Sequence, residues 1–128
     1  MQFINKIEIQ GIVGNSSIQK VADTRLCRFS VVTELAYKGN DGTNIIESTW
    51  FNVTAWEGKD IQNLECITRG AIVHVTGRLK CNRYVDANGN DRVQYEIVAR
   101  KVVGRMLYTR KRGIEPLFLS FSHGCHSA

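Results

Sequence analysis

The chain has 128 residues, 43% of them hydrophobic, with one proline and eleven glycines. That composition suits one ordinary domain and excludes collagen-like and low-complexity disordered classes. The net charge is +5, but residues 105–128 hold four of the 17 basic and only one of the 12 acidic side chains. The first 104 residues are close to charge balance, so a polyanion partner has to be argued from where charges sit. Cys27, Cys66, Cys81 and Cys125 form no C-x-x-C pair and no zinc-ligand spacing, and Lys6 and Glu8 interrupt the stretch a signal peptide would keep apolar. No apolar run is long enough to span a membrane. The expectation is a reduced, cytoplasmic protein with free thiols, Cys27 being a small buried hydrophobe.

Taken in chain order, nearly everything up to residue 104 alternates at period two. In "INKIEIQGIV", Ile7 and Ile9 alternate with Lys6, Glu8 and Gln10, which predicts a half-buried strand with a bulge or close backbone approach at Gly11. "RLCRFSVVT", residues 25–33, puts Cys27, Phe29 and Val31 on one face and Arg28 and Ser30 on the other. "YKGNDGTN" clusters turn residues and predicts a mobile loop. "IIESTWFNVTAW" is the third strand: Phe51, Val53 and Ala55 share its core face, while Trp50, Asn52, Thr54 and Trp56 share the other. In "EGKDIQNLECITRG", Ile61, Leu64 and Ile67 recur at three-residue spacing before Arg69-Gly70, which predicts one short helix. "AIVHVTGRLKCNRYV" returns to alternation with Val73, Val75 and Leu79 inward. Asn88-Gly89 then signals a tight hairpin into "RVQYEIVARKVV", where Val93, Tyr95 and Ile97 share a face.

Three strands, one short helix and two strands give an all-β chain. That is the element order of an OB-fold, a five-stranded Greek-key barrel with one short helix between strands 3 and 4. Another small barrel or sandwich has similar elements. No internal repeat or second domain is visible; residues 1–104 are the barrel domain, and 105–128 a short basic and apolar tail.

The polar face of the barrel is unusual. Trp50 and Trp56 stand about 20 Å apart at the strand rise, on a face that the core does not need. On the fourth strand His74, Thr76, Arg78, Lys80, Asn82 and Tyr84 share one parity. A packed tryptophan or a solvated row of cations explains either strand singly. The coincidence of aromatic and cationic side chains on two strands favours single-stranded nucleic acid, whose bases stack on rings at roughly 1–3 kcal/mol each while Lys and Arg neutralise phosphates.

"FSVVTELAYKGNDG", "STWFNVTAWEGKD", "RGAIVHVTGRLK" and "RYVDANGNDRVQYEIVA" together resemble, in order and spacing, the motifs of the bacterial single-stranded DNA-binding proteins. The resemblance covers roughly residues 3–104. It implies an OB-fold that binds single-stranded DNA without sequence preference during replication, recombination and repair, as a cytoplasmic, nucleoid-associated homotetramer. The family's four aromatic platforms map onto Tyr37, Trp50, Trp56 and Tyr84, two of them tyrosine where the family often has tryptophan. Asn52 lies between the tryptophans, and Lys38, Arg78, Lys80, Arg83 and Arg92 are the candidate phosphate contacts. Arg83 has the opposite parity to Arg78, so its inclusion relies on hairpin twist. The family also pairs first strands between subunits, which would use residues 3–13 here.

The tail departs from that pattern. The family typically ends in a flexible linker with an acidic, apolar-tipped peptide that recruits other proteins; this chain ends "RMLYTRKRGIEPLFLSFSHGCHSA", so those partners are not expected. "PLFLSF" is too short to cross a membrane, and none is expected as a partner. His123, Cys125 and His126 are grouped, but a metal there is not expected, nor is any cofactor. No phosphate loop, paired-histidine motif or nucleophile–base arrangement indicates an enzyme. The alternative is an OB-fold protein-interaction module, a primosome-type subunit, that uses the aromatic face for a protein.

Overall fold

A computed structural model describes residues 1–110 and 113–120, with side chains as far as Gly104. The alternating segments form β1 (Ile7–Val21), β2 (Thr24–Lys38), β3 (Asn44–Trp56), β4 (Ile72–Val85), β5 (Asp91–Arg110) and β6 (Gly113–Ser120). Each is antiparallel to its neighbour in the order β3-β2-β1-β4-β5-β6. Parallel pairing of β3 with β5 then closes the first five strands into a barrel. The expected five-stranded OB-fold is therefore present, and β6 adds to the outer part of β5.

One alternating face of each strand fills the barrel. Cys27, Phe29, Val31, Val53, Ala55, Val73, Val75 and Ile97 are buried, as their parity predicts. The Val, Ile and Phe side chains among them each contribute about 1.5–3 kcal/mol relative to exposure. β1 serves two neighbours, pairing with β4 through Ile7–Ile12 and with β2 from Ile12 onward. Gly11 sits at this changeover, where an added Cβ would lie 2.1 Å from the Val32 carbonyl oxygen. The irregularity itself falls slightly later, between Val13 and Ser16.

The helix expected after β3 is reduced to a single 3-10 turn, Leu64–Cys66. Ile61, Leu64 and Ile67 are nonetheless all buried in the main core. Their spacing reports a plug for the barrel, which needs three inward side chains and not a continuous helix. Arg25 ties the plug to β2: it donates to Glu57 and Glu65, and its carbonyl accepts the Glu57 N–H at 2.9 Å.

Leu79 is 41% exposed, as are Val93 (50%) and Tyr95 (58%), although parity places them inward. The β4–β5 hairpin runs past the end of the barrel, so its inner face has nothing to cover it. Cys27 and Cys81 are free, whereas Cys66 is disulfide-bonded, which corrects the expectation of free thiols throughout. No helix among the described residues is long and apolar enough to cross a membrane.

Candidate nucleic-acid interface

On β3 the residues that leave the core point outward together. Trp50 is 61% exposed and Trp56 42%, with Asn52 exposed between them. Thr54 shares their parity but is buried, and its hydroxyl donates to Glu96 Oε2 at 2.6 Å. Across the β2–β3 ladder, Trp50 lies opposite Val32, Asn52 opposite Ser30 and Thr54 opposite Arg28. Directly opposed residues share a face, so Arg28 and Ser30 belong to the same surface.

The Trp50 ring reaches across this sheet to β1. A Cβ added at Gly14 would lie 2.6 Å from Trp50 Cζ3 and 2.8 Å from Ser30 Oγ. Ser30 Oγ accepts the Asn15 N–H at 2.9 Å, holding the irregular part of β1 beside the indole. The ring therefore rests on bare backbone, with its other side open.

β4 supplies the second wall. Arg78, Lys80 and Tyr84 are exposed and Asn82 is half-buried, all on one parity. Lys80 lies opposite Glu96, Asn82 opposite Gln94, and Tyr84 opposite Arg92. His74 and Thr76 share that parity but not that setting: Thr76 is buried, and His74 Nε2 lies 3.4 Å from Glu8. At the hairpin tip Asp86 Oδ1 accepts the N–H groups of Asn88 and Asn90, and its Oδ2 accepts Arg92 Nε at 2.8 Å. The Arg92 hydrogen bond, first among the causes, and these backbone donors hold the Asp86 carboxyl below its usual range.

Two expected residues lie apart from this group. Arg83 is opposite Val93, on the side of the hairpin away from Lys80 and Tyr84. Tyr37, 46% exposed near the end of β2, is opposite Ile45 and so has the reverse parity to Trp50; its neighbour Lys38 has the same parity as Trp50. The structure thus gathers Trp50, Asn52, Trp56, Arg78, Lys80, Tyr84 and Arg92 around one surface, with Lys38 farther out on the β2–β3 arm.

Glu96 is the central group that the sequence reading missed. It bridges the two walls, Oε2 accepting from Thr54 on β3 and Oε1 from Asn82 on β4 at 2.8 Å. Burial pushes its carboxyl up, but the Thr54 and Asn82 hydrogen bonds and the charges of Lys80 and Arg28 outweigh that, and the net shift is downward. Around it is a cleft of about 340 Å³ whose lining includes Arg28, Ser30, Asn52, Asn82 and Gln94. Alternation read Glu96 only as the polar neighbour of Tyr95 and Ile97; its contacts depend on barrel closure, which no local pattern reports. Gly14 was missed because its role depends on the β1–β2–β3 pairing that brings the Trp50 ring over it. Arg28 and Ser30 had the right parity in the sequence, but not the pairing that puts them beside β3.

No group of three or more potential metal ligands occurs among the described residues. His123, Cys125 and His126 lie outside them.

A relative from Clostridium acetobutylicum named single-stranded DNA-binding protein 1 is 30% identical over 115 residues, covering 87% of this chain and all of that protein. A single-stranded DNA-binding protein of Neisseria meningitidis is 24% identical over 101 residues, and the match spans 58% of its length. Among solved structures, a Plasmodium falciparum SSB in complex with ssDNA superposes with a TM-score of 0.67 at 18% identity, covering 94% of this chain and 98% of that one. The small single-stranded DNA-binding protein of Streptomyces coelicolor gives 0.62 at 23% identity, over 80% and 94% of the two chains. These two share the fold. The profile of the Single-strand binding protein family matches residues 4–104, the barrel with both its arms, and the chain belongs to that family.

Proposed function

We propose that this protein binds single-stranded DNA without strict sequence preference and shields it during replication, recombination and repair, acting by binding and not by catalysis. One observation carries the reading: two indoles stand exposed on the outer face of β3, on a barrel whose core is complete without them. Trp50, Trp56 and Tyr84 stack bases, and Tyr37 adds a platform at the end of the β2–β3 arm. Arg78, Lys80 and Lys38 neutralise phosphates, Asn52 contacts a base or sugar, and Arg92 contributes once released from Asp86. Arg83 faces away from this path. The name of the Clostridium relative and the ssDNA in the Plasmodium complex support the ligand class.

The protein assembles with itself, as a homotetramer, through residues 3–13. In the single chain, Ile7–Gln10 pair only with β4, which leaves one edge of this strand available to a second copy. The uncovered Leu79, Val93 and Tyr95 offer apolar surface for such contacts without using the tryptophans.

The test is a titration with oligo-dT at low and high salt. Tryptophan emission should be quenched at low salt, and added salt should weaken binding. Unchanged emission with excess oligo-dT at low salt would refute the reading. If the aromatic face instead docks a protein, Trp50→Ala will change the assembly state and leave DNA affinity as it was.

A further inference from the structure

The β4–β5 hairpin carries one wall of the proposed binding surface, and where that wall stands is decided at its root. β1 pairs with β4 only as far as Ile7–Gly77. At the same point the β4–β5 ladder is irregular, between Thr76 and Gly77, and an irregularity of this kind bends a strand. Gly77 lies tight against β5, where an added Cβ would come 2.2 Å from the Val98 carbonyl oxygen. Arg78, Lys80, Asn82 and Tyr84 all follow this bend. Tyr84 is seven residues beyond Gly77, about 23 Å along an extended strand. At that length a tilt of about 10° at the root moves the ring by about 4 Å, more than the thickness of a base.

Two side chains tie the hairpin to neighbouring strands near its root. On the β3 side, Thr54 donates to Glu96. On the β1 side, Asn5 precedes the strand and falls at the register position opposite Leu79. Its Nδ2 donates to the Leu79 carbonyl at 2.8 Å, and its Oδ1 accepts the Leu79 N–H at 3.1 Å. A hydrogen-bonded pair in an antiparallel ladder exchanges the same two bonds. The Asn5 amide thus stands in for a peptide group and carries the β1–β4 ladder past Gly77, although the backbone before Ile7 belongs to no strand. A side-chain amide is suited to this because it donates and accepts at once; a carboxylate would set an oxygen against the Leu79 carbonyl.

We propose that Asn5 is a positioning residue for the DNA surface: its amide straps the β4–β5 hairpin to β1 and so fixes how far Lys80 and Tyr84 stand from the tryptophans of β3. The proposal rests on the single-stranded DNA reading above and adds to it a residue that acts without touching the strand. A bound strand that reaches from Trp50 to Tyr84 needs both walls in place together, and a hairpin free to tilt holds them so for only part of the time. Apparent affinity falls with that fraction.

The test is Asn5→Ala, titrated with oligo-dT beside wild-type protein. Affinity should fall by about threefold to tenfold as the two hydrogen bonds are lost. The slope of log K against log salt should stay as it was, because no cation is removed. In a Lys80→Ala/Tyr84→Ala background the same substitution should cost less than about twofold. Wild-type affinity in the single variant, or an equal loss in both backgrounds, overturns the proposal. So does a loss that tracks dissociation of the assembly, since Asn5 lies within residues 3–13; sizing at the titration concentrations separates the two. Hydrogen exchange of the Leu79 amide in wild-type protein is independent of how the variants fold. The strap predicts protection there, and exchange at the rate of an unstructured peptide overturns it. Wild-type protein that binds no oligo-dT while Leu79 stays protected would instead sink the single-stranded DNA reading itself.

Discussion

The indole of Trp50 lies against Gly14, so close that a Cβ there would come within 2.6 Å of Cζ3. The more exposed of the two tryptophans therefore owes its orientation to the absence of a side chain on another strand. Gly14→Ala should turn the ring out of place while leaving the core intact. Stacking on one ring is worth about 1–3 kcal/mol, so the expected loss of oligo-dT affinity is about fivefold to 150-fold, with a shifted tryptophan emission in the free protein. Wild-type affinity in the folded variant would show that the position of the ring over Gly14 is immaterial.

Cations on the Trp50 side should affect the salt dependence, and Arg83 should not. Each phosphate contact in single-stranded binding contributes about 0.7 to the slope of log K against log salt. Lys80→Ala and Arg78→Ala should each reduce the slope by about that amount. Arg83→Ala, on the far side of the hairpin opposite Val93, should leave it unchanged. An equal reduction for Arg83 would mean that the strand wraps both sides of the hairpin.

The Arg25 cluster should give stability a dependence on acid pH. Hydrogen bonds from Arg25 are the largest influence on Glu57 and on Glu65, and both carboxyls are held below their usual range. A carboxyl with a folded pKa below its unfolded value stabilises the fold above the unfolded value, about 4.3 for Glu. That contribution disappears as pH falls through the folded value. Melting temperatures of wild type and Arg25→Gln should therefore differ more at pH 7 than at pH 3. A gap that is constant with pH would show that the ion pairs contribute nothing.

Leu64 is fully buried at the closed end of the barrel. Leu64→Ala should destabilise the protein by about 2–5 kcal/mol through lost transfer energy and the cavity left behind. Denaturant unfolding measures this directly, and a loss under about 1 kcal/mol would mean that the plug closes up around the smaller side chain.

What could be read from the chain divides along a physical line. Alternation reports which residues leave a strand on the same side, and Val31, Val53, Val73 and Ile97 obey it because a closed barrel has one inside. The same rule misleads for Leu79, Val93 and Tyr95, since it cannot tell where a hairpin outgrows the barrel it springs from. The three-residue spacing of Ile61, Leu64 and Ile67 correctly announced three inward side chains, but not the backbone that delivers them. Trp50, Trp56, Lys80 and Tyr84 were visible because their chemistry is conspicuous on a polar face. Glu96 and Gly14 were not, because each acquires its role from a residue 42 or 36 positions away in sequence, through the Thr54 and Trp50 contacts respectively.

The seam between β3 and β5 consists of only two register pairs, Val53 with Ile97 and Thr54 with Val98. Ladders elsewhere in the barrel are much longer; β2 and β3 pair from Leu26–Trp56 out to Lys38–Asn44. Beside the seam, the Thr54–Glu96–Asn82 bridge supplies hydrogen bonds to a charged acceptor, each worth about 1.5–3 kcal/mol. The barrel is thus fastened by a clasp at its shortest join, and amide hydrogen exchange should detect opening there before β1 and β2 separate. Because Glu96 is also the floor of the cleft, a strand that settles there would hold the clasp shut, and ligand binding would be felt as a stiffening of the whole cylinder.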